Sequence, residues 1–442
     1  MDTLIVGGLV VTCNAADAVM AADVRIRDSR IVEIGPRLRP HGLTRVISAD
    51  GAAVIPGFVQ AHVHLCQVLM RGMADDLPLL AWLKERIWPL EAAHDEATLT
   101  ASAELGLLES MLAGTTTLLD MGTVHGYDAI FDACSRAGIR VVGGKAMMDA
   151  GASVPSGLRE TTKESLAASD RLRKEWHGKD QGRLLYAYAP RFILSCTEKL
   201  IRGVAERSND SEVLMHSHVA EHPDERRTVR ELLGEEDVAV MRRWGFFGPR
   251  AIFAHGVQLT DDEARQMAED GTRIVHCPSA NLKLGSGIAR VAELDALGVQ
   301  LALGADGAPC NNNLDPWMEL RHAALLAKVR TGVTALPAKR ALRLATIDGA
   351  RALGLGDVTG SLEVGKRADI TVVRTDAAHV EPGGDVFSRL VYACTGRDVT
   401  HVLADGVHVV REGEHTLLDG ERVVSRAREL GNILATRAGL RA

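Results

Sequence analysis

The chain lacks the features that would send it to a membrane, to nucleic acid or into an oxidising compartment. Its apolar runs fall well short of the ~18 residues that a membrane span needs. Lysine and arginine form no basic block, and a formal net charge of -7 is spread over 442 residues, so no nucleic-acid footprint is expected. The seven cysteines are an odd, scattered set without a CxxC, which suits reduced thiols in a cytoplasm rather than a disulfide framework. No basic segment precedes the first apolar residues, and Gly7-Gly8 interrupts them, so the N-terminus reads as strand and turn rather than signal peptide. No GxGxxG follows an apolar run, which removes the usual dinucleotide site. What is there is ordinary globular material, 46% hydrophobic and 25% charged. The length suits a large α/β barrel with an appendage.

Residues 1–53 alternate β-rich runs with turns: Leu4–Cys13, Val24–Arg27, a tight turn at Asp28-Ser29, then Ile31–Ile34. This spacing predicts a small antiparallel sheet with hairpins. The same texture returns only in Asp369–Val373 and Val399–Val410, where Asp405-Gly406 makes a turn. One small β-sandwich-like domain is therefore expected from both ends, residues 1–53 and 359–442, the second part carrying a terminal helix.

Between them, over 54–358, apolar runs fall at 54–64, 115–120, 140–147, 183–190, 213–221, 251–257, 273–280 and 300–306. Segments of helical length and amphipathic spacing separate most of them, such as Ala97–Ala113 and Asp261–Asp270. Eight strands alternating with helices is the count of a (β/α)8 barrel; a doubly wound sheet is the rival. In such a barrel, chemistry sits where strands end.

The first run ends in His62-Val-His64, and the two-residue period of a strand puts both imidazoles on one face. Alone the pair is weak evidence for a metal. Ionisable side chains also close the later runs, at His216-Ser-His218 and Glu221, His255, His276 and Asp306. Any one of these is an ordinary packing residue more often than a ligand; together they point to one polar mouth.

These residues, in their settings, resemble the amidohydrolase superfamily. The resemblance rests on Pro56-Gly-Phe-Val-Gln-Ala-His-Val-His64, His218-X-X-Glu221, Ala254-His255, His276-Cys-Pro-Ser-Ala-Asn-Leu-Lys-Leu284, Leu303-Gly-Ala-Asp306-Gly and Gly360-Ser-Leu-Glu-Val-Gly-Lys-Arg-Ala-Asp-Ile370. It is nearest to the branch of adenosine-type, methylthioadenosine/S-adenosylhomocysteine, 5'-deoxyadenosine and guanine deaminases, with triazine hydrolases close by. It implies that His62, His64, His218 and Asp306 ligate one divalent ion. Three imidazoles and a carboxylate suit zinc, and iron or manganese accept the same donors. No lysine closes the fourth run, Tyr186-Ala-Tyr-Ala-Pro-Arg191, which argues against a binuclear, carbamylated-lysine site. The implied activity is hydrolytic deamination of an aminopurine, most of all an adenine nucleoside, in a cytoplasmic homo-oligomer. Asp306 and His255 would activate water, and Glu221 would protonate the ring nitrogen; a solvated loop carboxylate is the plainer reading of Glu221.

Substrate selection is less legible. The segment 74–91 resembles the family's substrate loop, which makes Glu91 a candidate for ribose hydroxyls and Trp82 and Trp88 an apolar wall, unless the tryptophans are core. Gln67 and the Pro190-Arg191-Phe192 run resemble guanine deaminases; a guanidinium only donates, so Arg191 would meet an acceptor on the substrate or form a structural ion pair. Cys310 resembles the cysteine of deaminating triazine enzymes, or is simple packing, while Gly307 departs from their pattern. Guanine deaminase is the near alternative, triazine hydrolysis the next, and a non-catalytic binding barrel the last, since such relatives lose ligands that this chain keeps.

Overall fold

The computed structural model describes residues 2–440; Met1, Arg441 and Ala442, the outermost residues of the two terminal segments, lie outside it. Strands β1 (Asp2–Val11), β2 (Val19–Arg27), β3 (Arg30–Gly35), β4 (Thr44–Ser48) and β5 (Ala52–Pro56) open the chain. The middle carries β6 (Phe58–Val63), β7 (Thr115–Met121), β8 (Arg140–Gly144), β9 (Ala146–Met147), β10 (Leu184–Pro190), β11 (Leu214–Val219), β12 (Ala251–His255), β13 (Arg273–His276) and β14 (Gln300–Leu303). Strands β15 (Ile370–Arg374), β16 (Val399–Ala404), β17 (Val407–Arg411) and β18 (Glu414–His415) follow, and the helix Gly420–Arg437 comes last.

Strands β6, β7, β8, β10, β11, β12, β13 and β14 pair in parallel in that order, forming the (β/α)8 barrel with β9 added beside β10. The ring closes where the Asp306 N–H donates to the His62 carbonyl at 3.0 Å and Val63 bridges Asp306. Gly304 makes this approach feasible: a Cβ there would lie 2.6 Å from the His62 carbonyl oxygen.

The apolar run 54–64 is two strands, not one. Its first part, in β5, pairs with β1 and β15, and its second, β6, pairs with β7. Gly57 takes the chain from one sheet to the other, and a Cβ there would lie 2.3 Å from Thr116. The terminal strands form a single nine-stranded sheet, β18-β17-β16-β15-β5-β1-β2-β3 with β4 beside β1. It is mixed rather than antiparallel, because β1 runs parallel to both β4 and β5. Strand β1 changes partner at Gly7-Gly8; Gly7 has a φ of +80°, and a Cβ on Gly8 would lie 2.6 Å from Val54.

Local signals account for several helices. Thr260 and Glu263 form a reciprocal capping box that starts Asp261–Asp270, and Gly271, with φ +77°, ends it. The helix expected at Ala97–Ala113 runs Glu96–Leu112 and is not amphipathic. It packs under the short 3-10 helix Leu65–Met70, beside the helix Tyr127–Ala137 and against Gly420–Arg437, so small residues such as Ser102, Ala103 and Gly106 are buried with its leucines.

Candidate active site

The C-terminal ends of the barrel strands bring the predicted donors together. From β6, the Nε2 atoms of His62 and His64 each lie 3.3 Å from Asp306 Oδ1, and His218 Nε2, from β11, lies 3.3 Å from His64 Nε2. One donor atom each from His62, His64 and His218 fall within 4.8 Å of one another, as do those of His62, His255 and Asp306. His255 Nε2 stands 3.4 Å from Glu221 Oε2 and 3.8 Å from Asp306 Oδ2.

Partners behind the rings fix which nitrogen faces this centre. His64 Nδ1–H donates to the Met121 carbonyl at 2.7 Å, and His218 Nδ1–H to the Arg191 carbonyl at 2.7 Å. His255 Nδ1 bonds Asn281 Oδ1 at 2.9 Å, and His62 Nδ1 bonds His216 Nε2 at 2.9 Å. The Nε2 of His62 is buried with no hydrogen-bond partner, the mark of a ligand nitrogen held ready.

Backbone conformation helps aim the groups. His255 (φ +76°), Asp306 (φ +65°) and Ala220 (φ +49°) occupy the left-handed region without being glycine. The Ala220 N–H is secured by the buried Asp237 carboxylate at 2.6 Å, and the Gly307 N–H by Asp306 Oδ1 at 2.7 Å. Just past His64, Asp120 accepts the Leu65 N–H at 2.7 Å and the Tyr127 hydroxyl at 2.8 Å, which pins the turn into the 3-10 helix.

Electrostatics divide the titratable groups. Burial pushes His62, His64 and His218 well below the usual histidine range, and lowers His255 as well. Neutral imidazoles are what a cation requires. Burial also pushes the Glu221 carboxyl well above the usual carboxylate range, with Asp306 and Glu225 adding to the shift. For Asp306 burial acts upward too, but His255, His64 and His218 outweigh it and hold the carboxyl below that range. The two carboxyls beside His255 are thus shifted in opposite directions.

The model of the amidohydrolase family matches residues 53–429. The chain belongs to the amidohydrolase family. This amidohydrolase is 40% identical over 387 residues to the 5-methylthioadenosine/S-adenosylhomocysteine deaminase of Moorella thermoacetica, covering 87% of the chain and 88% of that relative. It is 38% identical over 392 residues to the 5'-deoxyadenosine deaminase of Methanothermobacter thermautotrophicus, covering 88% and 90%. An adenosine deaminase from Xanthomonas campestris, solved with bound zinc, superposes with a TM-score of 0.92 at 33% identity, over 98% of this chain and 99% of that one.

The amidohydrolase cavity is lined on one side by His64, His218, Glu221, His255 and Asp306. Leu79, Trp82, Leu83, Phe192 and Leu284 make an apolar wall, joined by Arg191. Of the two tryptophans, Trp82 lines it; Trp88 lies behind, in the same apolar cluster. Gln67, Glu91 and Arg191 form one buried group: Gln67 Nε2 donates to Glu91 Oε1 at 2.8 Å, and Arg191 Nη1 donates to Glu91 Oε2 at 2.5 Å. Arg191 is therefore an ion-pair partner in this structure. Cys310 is buried, with its Sγ 3.0 Å from the Gly307 carbonyl; burial and then Asp306 push its thiol up, so it stays a thiol.

Two residues named in the sequence, His216 and Asn281, were given no supporting role there. The role of His216 could have been inferred, since it sits two residues before His218 on the same face of β11. Asn281, which holds His255, stands in the quoted run after His276 but carries no chemical signal of its own.

Proposed function

We propose that this amidohydrolase, a hydrolase of C–N bonds, deaminates an adenine nucleoside of the 5'-deoxyadenosine, methylthioadenosine or S-adenosylhomocysteine type and releases ammonia. The observation that carries the reading is the meeting of His62, His64, His218 and Asp306 with Glu221 and His255 at one side of an apolar-walled pocket. The relatives described above support the substrate class.

His62, His64, His218 and Asp306 would hold one divalent cation, for which zinc fits best and iron or manganese are alternatives; the unpartnered Nε2 of His62 supports this donor set. Such a cation supplies a water whose pKa falls to roughly 7. Asp306 takes a proton from the attacking water, and His255 orients that water between the two carboxyls. Glu221 gives its proton to the ring nitrogen beside the amino-bearing carbon. The new C–O bond forms, Asp306 passes the water's proton to the amino group, the C–N bond breaks and ammonia departs, while the remaining hydroxyl proton returns to Glu221 as the carbonyl forms. The apolar wall excludes bulk water and receives the flat base. All seven cysteines are buried and unpaired, which supports a reducing, cytoplasmic setting, and among the described residues no helix is long and apolar enough to cross a membrane.

Guanine was favoured in the sequence by Arg191, and the commitment of its guanidinium to Glu91 weighs against that reading. An ammonia-release screen over 5'-deoxyadenosine, methylthioadenosine, S-adenosylhomocysteine, adenosine, guanine and melamine, with metal analysis, tests the proposal. Turnover of an adenine nucleoside is expected. Turnover of guanine or melamine with none of the adenine nucleosides would refute it.

A further inference from the structure

We infer that His216 is a positioning residue that fixes the tautomer and orientation of His62, and so sets the affinity of the site for its cation. The inference rests on the proposed cation site and concerns how this chain builds it.

The four imidazoles around the centre are not supported alike. His64 and His218 donate to backbone carbonyls, which can only accept. His62 instead meets a second imidazole, His216 Nε2, at 2.9 Å, and both rings are fully buried. His62 can offer a lone pair at Nε2 only if its proton sits on Nδ1. That proton must then be donated to His216 Nε2, which must be unprotonated to accept it. His216 consequently carries its own proton on Nδ1, and this nitrogen is buried with no hydrogen-bond partner.

An unsatisfied buried donor is unfavourable, and an apolar side chain of similar size would avoid it. A strand residue chosen for packing alone would not be histidine. The acceptor nitrogen is what the site gains. His62 also occupies the middle of the cluster, with the rings of His64, His216, His218 and His255 all edge-on to it at centroid distances of 4.7–5.7 Å. A rotation or tautomer change at His62 would disturb every neighbour.

The test is chelator competition and metal-release kinetics, read without substrate on wild type, His216→Leu and His216→Gln. Leucine removes both the acceptor and the orphaned donor; glutamine can return an acceptor near the position of Nε2. The metal-free His216→Leu protein should melt close to the wild-type temperature, because one unsatisfied buried donor replaces another, yet bind zinc or cobalt 10–100-fold more weakly, the usual cost of losing a partner behind a ligand. His216→Gln should recover most of that affinity. Equal metal affinity in wild type and His216→Leu, or an equal loss in His216→Gln, would overturn the inference. If His216→Leu does not fold, His216→Gln against His216→Ala gives the same contrast. A wild-type protein that binds no divalent metal would instead overturn the cation site itself, so the two failures are distinct.

Discussion

Glu91 and Glu221 are both almost fully buried, at 2% and 4% exposure, within the same barrel mouth, yet their surroundings are opposite in kind. Glu91 is gripped by the Arg191 guanidinium on one oxygen and the Gln67 amide on the other. Glu221 faces the His255 ring, and burial, with the carboxyls of Asp306 and Glu225 adding to it, pushes its own carboxyl well above the usual carboxylate range. Burial raises the cost of charge at both places, but Glu91 sits against a guanidinium and Glu221 against an imidazole and other carboxyls. The first glutamate anchors an ion pair behind the cavity wall, and the second is the proposed proton donor.

The largest expected effect separates the two by activity. Glu221→Gln should cut turnover by about 10²- to 10⁴-fold, the range of a lost general acid or base, while the purified protein keeps its metal by elemental analysis. Loss of metal would make Glu221 structural and erase the contrast. Next, Arg191→Met should lower stability by about 3–5 kcal/mol, because it leaves Glu91 buried without a counter-charge. Thermal unfolding should show that deficit, and the double change Arg191→Met with Glu91→Leu should recover most of it. Smaller is Gly307→Ala: its Cβ would come 2.1 Å from Gln67 Oε1 and push that amide off Glu91. Overpacking of this kind costs about 1–3 kcal/mol, again read as a lower melting temperature.

The smallest effect is a pH slope. The Glu221 carboxyl titrates higher in the folded than in the unfolded chain. Its contribution to stability is therefore full at low pH and is lost as pH rises through the folded value. Metal-free Glu221→Gln should accordingly gain on wild type between pH 5 and pH 8. A parallel pair of melting curves across that range would mean that Glu221 is ionised in the folded protein.

How much of this was legible depends on whether a signal is local. The barrel strands announce themselves as apolar runs, and His64, His218, His255 and Asp306 are visible because each polar residue ends one. The break inside 54–64 is hidden, since Pro56-Gly57 interrupts a run that is apolar on both sides and only pairing distinguishes β5 from β6. Strand β4 was missed for a related reason: Thr44–Ser48 is short and half exposed, with little hydrophobic pattern to show it. The Gln67–Glu91–Arg191 group joins residues 24 and 100 positions apart, so nothing nearby in sequence could tell an ion pair from a substrate contact. Chemistry concentrated at strand ends is readable; partners assembled across loops are not.

One wall of the cavity is set by a helical segment with an irregular middle. Leu79–Trp82 is α-helical, Leu83–Ile87 is a π-helical turn, and Trp88–Ala92 returns to α. Leu79, Trp82 and Leu83 face the cavity, whereas Glu91, beyond the wide turn, faces the ion pair behind it. A π turn accommodates an additional residue, and each residue of an α-helix advances about 100° around its axis. Deleting one residue between 83 and 87 would thus swing everything that follows by that angle and unseat Glu91 without altering any other side chain. In this molecule the length of one segment keeps the apolar wall in register with the ion pair behind it, a constraint that point substitutions do not reach.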